Sequence, residues 1–436
     1  MIFKIHFLPK FIFSLALLLA SCSLFGQYQD DYVIPEFKNI DYNYRGFISS
    51  VRFATSESEI DYPIIQLNSG SHLLLEFDDL EADNKNYTYK VIHCNYDWTP
   101  SEDIAPMDYI DGFQENRIYE STNSFGTRTE YIHYQIKIPN DDIKITKSGN
   151  YILKVYIDGE EEDLAITRRF VIYEPMMKAV PHVRRSAVPP YSRSHQEFSL
   201  KVEHVGIYLP NPAKDIKVAI LQNGRWDNAI TNINPTFIKN EEMNYDLQGQ
   251  IIFPGFREFR PLDIRSFRHR GPQVETMEQN DDNFQLYLFN DIPRTHAPYL
   301  FTKDLNGKVI VSSYDNPAAN ERGEYGHVHF NLETPKLSDS DVYVVGGFSD
   351  FLPYLRYKMT YNEEKEAYTS NCLLKNGFYD YMYLAVNKET GKPDLQALEG
   401  SVFESENNYV FLVYYRKYGS RYDQVVAYSK ISSSMR

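Results

Sequence analysis

The sequence predicts an all-β protein, built as tandem immunoglobulin-like β-sandwich domains after an N-terminal export signal. Three observations carry that expectation. Short alternating apolar and polar runs recur between turn residues, with almost no helical period after the N-terminal segment. The aromatic content is 15%, with 36 Tyr and 27 Phe against 2 Trp, and Tyr and Phe favour strands. At 436 residues and 42% hydrophobic content, the chain is too long for one ordinary core and apolar enough to bury several.

The first element is the export signal. Lys4 and Lys10 precede an apolar run from Phe11 to Ala20, followed by small residues. That run is too short for a comfortable membrane span. Two cleavage routes suit it. Residues 1–26 are removed if cleavage follows Gly26, whereas Leu19-Ala20-Ser21-Cys22 matches a lipobox, which would remove 1–21 and lipidate Cys22. A lipidated cysteine tethers a chain to a membrane surface without a span. Beyond the signal only Cys94 and Cys372 remain, too few for a disulfide scaffold; buried free thiols are expected.

The strand pattern then divides into three blocks. Residues 27–175 hold "SHLLLEFDDL", "YTYKVIHCNYDW", "EYIHYQIKIPN", "NYILKVYIDG" and "ITRRFVIYEP", closed by Pro175, which removes a ladder donor. A linker-like stretch rich in Pro, Ser and Arg opens the second block, 176–318. There Asn223-Gly224 between "IKVAILQ" and "RWDNAI" is a direct hairpin signal. A polar break at 314–326 opens the third block, 319–436, an E-set-like unit with "DVYVVGGF", "AYTSNCLL", "FYDYMYLA", "NNYVFLVYYR" and "DQVVAYSKI".

Charge limits the partners. The formal net charge is -15, and loss of the two signal lysines gives -15 - 2 = -17. Such a field repels phosphate backbones and argues against nucleic acid.

Catalytic patterns are missing: no GxSxG, HExxH, CxxC or glycine-rich phosphate loop. His327 and His329 are two apart on a strand and share a face, but no third ligand has convincing spacing, and zinc needs three or four. His93 and Cys94 are adjacent on a strand and point to opposite faces, so the imidazole is badly placed to activate the thiol. No catalytic residue, metal ligand or cofactor is expected.

One stretch is strongly basic. "FREFRPLDIRSFRHRGP", residues 256–272, places Arg257, Arg260, Arg265, Arg268 and Arg270 among Phe256, Phe259 and Phe267. Arg and aromatics are enriched at interfaces, which makes Arg257, Arg260, Arg265, Arg268, Arg270 and Phe267 a candidate partner-binding segment in an irregular loop of the second block. The competing reading is a solvated loop whose arginines pair with the chain's own acids.

"YVVGGFSDF", residues 343–351, followed by "FYDYMYLA", is similar to the opening of a starch- or glycogen-binding sandwich. Phe351 stands where a platform Trp is expected. Tyr379, Tyr381 and Tyr383 alternate onto one face, which is first a burial signal. A carbohydrate-binding outer-membrane lipoprotein is therefore the alternative reading.

Four longer stretches are more distinctive: "HCNYDWTPSEDIAPMDYIDGFQENRI", "SFGTRTEYIHYQIKIPN", "SGNYILKVY" and "LEGSVFESENNYVFLVYYRKYGSRYDQVVAYSKI". Together they resemble the plug proteins of the bacterial type IX secretion system, across nearly the whole mature chain. The resemblance implies a non-enzymatic, exported protein at the periplasmic face of the outer membrane. It implies one partner, the outer-membrane translocon β-barrel of that system, whose periplasmic opening the plug occludes. It transfers no catalytic residues and no contact map.

Overall fold

Among the described residues, alternation is realised as strands in six sheets, most of them antiparallel. The computed structural model describes residues 36–280 and 283–434. The export signal and Cys22 lie outside the described residues.

The N-terminal sandwich faces a four-stranded sheet, running Ile48–Thr55, Leu73–Asp79, Ile132–Ile138, Glu120–Asn123, against strands Leu164–Tyr173, Gly149–Ile157, Tyr87–Cys94 and Glu115–Arg117. Leu73, Leu75 and Phe77 alternate inward from one sheet. Tyr87, Tyr89 and Val91 do so from the other, as a period of two requires.

The second sandwich is completed from a distance. Ile216–Gln222 and Arg225–Ile230 form the expected hairpin, with Asn223 at φ 53° and Gly224 at φ 72°, the positive pair that a type I′ turn needs. Ile216–Gln222 pairs on its other side with Asn408–Tyr415, and that strand with Gln424–Ser432. These last two strands of the chain share a core with Phe198, Leu200, Met243 and Phe253.

Gln424–Ser432 then meets Leu164–Tyr173 in parallel at Tyr173 and Val425, so one ten-stranded sheet runs through the first two sandwiches.

The third sandwich closes around Leu262, Phe267, Leu286, Val328, Phe330, Cys372, Tyr379, Tyr381, Tyr383 and Leu398. Two boundaries expected from polar breaks are thereby corrected. Residues 260–311 pack in the third core rather than the second, because Arg260–Asp263 and Val309–Val311 both pair with Gly377–Asn387. Residues 408–432 leave the third block for the second. A polar stretch marks a loop; which core the chain enters next depends on strand pairing, which alternation does not encode.

Candidate functional site

The three sandwiches meet around a cavity of about 350 Å³. Its walls come from stretches far apart in sequence. The N-terminal sandwich supplies Asp41, Val51 to Phe53, Tyr62 to Ile64 and Arg168 to Val171. The second supplies the hairpin tip, Asn223 to Asp227. The third supplies Lys308, Val309 and residues 347 and 350–352.

Local backbone chemistry puts these groups in place. A side chain at Gly224 would meet the Tyr62 ring at 2.2 Å, so only glycine lets the hairpin tip close on that ring. Gly307, at φ 84°, leaves room for Phe351 and Phe259, whose rings lie 2.6 and 2.8 Å from where its Cβ would be. Asp350 and Phe351 both take positive φ, 52° and 58°, which is rare for an aromatic residue. Such strain concentrates where a loop is held for a purpose. Trp226 stands edge-on to Trp98 at 4.7 Å, and the Arg225 guanidinium lies 4.7 Å over the Phe351 ring.

Four of the five cationic side chains in the wall have carboxylates. Arg169 donates to Asp41 through Nε at 3.0 Å and Nη2 at 2.8 Å. Burial alone would raise the Asp41 carboxyl, but Arg169 and Arg168 outweigh it and hold it below its ordinary range. Arg225 forks Asp227 at 3.0 and 2.5 Å, and Arg52 lies 3.1 Å from both Glu59 and Glu76. Arg168 donates to Asn43 Oδ1 at 2.7 Å and lies 3.3 Å from Asp350 Oδ2, without hydrogen-bond alignment. Burial pushes Asp350 up despite Arg168.

Lys308 is the exception. No described residue accepts a hydrogen bond from its Nζ or lies in ion-pair range; its Nζ stands 4.6 Å over the centre of the Tyr62 ring. Burial pulls its ammonium down to about 8.

The basic segment is largely internal, so most of the candidate partner-binding residues are turned away from solvent. Arg257 is buried and donates to Ala297 O and Pro298 O. Arg260 is buried between Glu399 (3.1 Å) and Asp291 (2.7 Å), and Phe267 lies in the third core. Arg265 is half-buried, bound to Asp263 and lying 4.4 Å over Tyr314. Of the six, Arg268 and Arg270 are the exposed ones, beside His269 on an open depression with Met277 and Phe289. Acids 31 to 139 residues away claim Arg260, and local sequence gives no sign of them.

The remaining candidates resolve simply. His93 bonds Ser101 Oγ at 2.9 Å, and burial lowers it to about 4. Cys94 and Cys372 are buried free thiols, each pushed up to about 12 by burial. His329 bonds Gln285 at 2.6 Å and stacks on Tyr287, while His327 faces Asn371 at 3.0 Å. Tyr379, Tyr381 and Tyr383 are buried, and the hydroxyls of Tyr381 and Tyr383 both donate to Asp291 at 2.7 Å. A cluster of Asp79, Glu81 and Asp83 is bridged by Lys85. Among the described residues, no helix is long and apolar enough to cross a membrane.

Sequence reading missed the cavity and Lys308. The one local signal was the turn "LNGK", whose Asn306 and Gly307 have φ of 54° and 84°.

Residues 48–174 match the model of the type 9 secretion system plug protein, first domain. No curated protein matches the chain. The chain is similar to the crystal structure of a hypothetical protein from Parabacteroides merdae ATCC 43184, at 29% identity and a TM-score of 0.87, covering 91% of this chain and 100% of that one. The matched residues span the N-terminal sandwich from strand Ile48–Thr55 to Leu164–Tyr173, and this domain belongs to the family of type 9 secretion system plug protein first domains.

Proposed function

We propose that the chain binds the outer-membrane translocon β-barrel of the type IX system from the periplasmic side and occludes its opening. The observation that carries this reading is the plug-domain match over residues 48–174. The architecture is physically suited to it. One ten-stranded sheet passes through two sandwiches, and buried ion pairs join the third to the first, so the body resists bending. A charged exterior keeps a released stopper soluble, and a net charge of -15 disfavours anionic membrane surfaces. Whether residue 22 carries a lipid belongs to the same proposal; a tether there would hold the stopper near its channel.

Arg268 and Arg270, the exposed remnant of the basic segment, form the proposed contact, next to Phe289 at 54% exposure. Arginine beside an exposed aromatic is the composition of an interface core. The test is recovery of the barrel, identified by mass, from solubilised outer membranes with tagged protein. Arg268→Glu with Arg270→Glu should reduce recovery about tenfold, the effect of losing roughly 1.4 kcal/mol. Unchanged recovery removes these residues from the contact. No barrel recovered by the unaltered chain overturns the plug reading itself.

The carbohydrate alternative loses its best support, because the Tyr379, Tyr381 and Tyr383 face is core and Phe351 points into the junction rather than to the surface.

A further inference from the structure

An ammonium drawn partly out of water with no acceptor, as half-buried Lys308 is, costs free energy that an evolved fold ordinarily avoids by pairing it. The junction cavity follows that rule four times and departs from it once, at Lys308. The departure is not slack. The loop carrying Lys308 is fixed by two carboxylates: Asp380 accepts from Leu305 N at 2.6 Å and Gly307 N at 3.0 Å, and Asp304 accepts from Phe259 N at 2.6 Å. Gly347 N donates to Gly307 O at 2.7 Å and ties the same loop to the strained segment that bears Asp350 and Phe351. The lysine is therefore presented on a rigid turn at a wall that is otherwise charge-compensated.

We propose that the junction cavity binds a small organic monoanion with an aromatic or similarly apolar body, its carboxylate or sulfonate on Lys308 and its body against Phe53, Tyr62, Trp226 and Phe351. Size and chemistry select that class together. About 350 Å³ falls in the range of small-molecule sites and is far more than an inorganic anion fills. Apolar side chains make up much of the wall, so a wholly polar ligand would gain little there. The fixed negative groups Asp41, Glu59 and Asp227 are each engaged by arginine, which leaves no strong site for a ligand cation. The charged groups that bear on Lys308 are Asp41, Asp61, Asp350 and Lys430. Asp41 and Asp61 are held by Arg169 and Lys430, and Arg168 stands beside Asp350. This inference is independent of the channel-plugging reading, since a ligand site in the junction stands or falls on binding by the isolated protein.

The test is calorimetric titration of the purified full-length protein with 1-naphthoate, 1-naphthalenemethanol and 1-naphthylmethylamine, which share a body and differ in charge. Naphthoate should bind about tenfold more tightly than the alcohol, the worth of one partly desolvated charge pair, and the amine more weakly still. Lys308→Met should abolish the preference for the acid and Lys308→Arg should keep it. Naphthoate affinity should fall as pH rises through about 8, where the ammonium loses its proton. Because Lys308→Met removes a half-buried charge without a partner, its fold is expected to persist. Trp226 fluorescence gives a second readout of cavity occupancy in both variants. Equal binding of acid and amine, an undiminished acid preference in Lys308→Met, or no naphthoate binding at millimolar probe overturns the proposal.

Discussion

Lys375 and Lys308 are both lysines enclosed where the third sandwich meets the first, and their surroundings differ completely. Lys375 Nζ donates to Asp78 Oδ2 at 2.6 Å and Asn320 O at 2.7 Å, and lies 4.0 Å from the centre of the Tyr131 ring. Asp78 also accepts from Tyr325 at 2.7 Å and contacts His133 at 2.7 Å. Burial would raise Asp78, but Lys375 and His133 together outweigh it and hold the carboxyl down. Lys308 has a ring beneath it and no acid. The first lysine fastens two sandwiches together. The second carries a charge that the protein's own groups leave unanswered, at a cavity large enough for a ligand.

The comparison is broken most strongly at Lys375. Lys375→Met keeps the stem and strands Asp78 without its main cation. Breaking a buried pair from one side costs about 3–5 kcal/mol. Chemical denaturation at neutral pH should show that loss as a lower midpoint with an unchanged slope. A loss below 1 kcal/mol, well under that range, would mean that solvent already reaches the pair.

The opposite sign is expected at Lys308. Its folded pKa, about 8, lies below the ordinary 10.5, so folding disfavours the charged form. The penalty is complete below pH 8, where folded and unfolded lysine are both protonated. It shrinks between 8 and 10.5, where only the unfolded state holds the proton, and is gone above. Lys308→Met should therefore stabilise the protein by up to about 3 kcal/mol at pH 7, with the gain fading towards pH 10.5. A gain that does not change with pH would assign the effect to packing.

This contrast also marks what sequence could reveal. Strands, the Asn223-Gly224 hairpin and the inward face of Tyr379, Tyr381 and Tyr383 were legible, because each is written in local alternation or turn chemistry. The return of residues 408–432 to the second sandwich was not, because strand partners are chosen by a fold-wide search for complementary faces. Arg260 looked like a surface charge until Glu399, 139 residues on, was placed beside it. Lys308 gave no signal beyond the Asn306-Gly307 turn that precedes it. Its distinction is the absence of a partner among described residues drawn from distant stretches of chain, and only the assembled junction defines that.

The smallest effect belongs to charges that neither fasten nor select within the fold. Arg268 and Arg270 are exposed, and Arg270 donates to the nearby Glu275 carbonyl. Changing both to Glu should move stability by no more than about 0.5 kcal/mol, as for surface substitutions generally. Thermal denaturation of the double variant beside the unaltered chain checks this. The result decides how barrel recovery is to be read. With stability unchanged, a tenfold loss of recovery can only be a loss at the contact. A drop of several kcal/mol would instead place these two arginines with Arg260, as structural groups, and the partner-binding face would have to be sought elsewhere on the molecule.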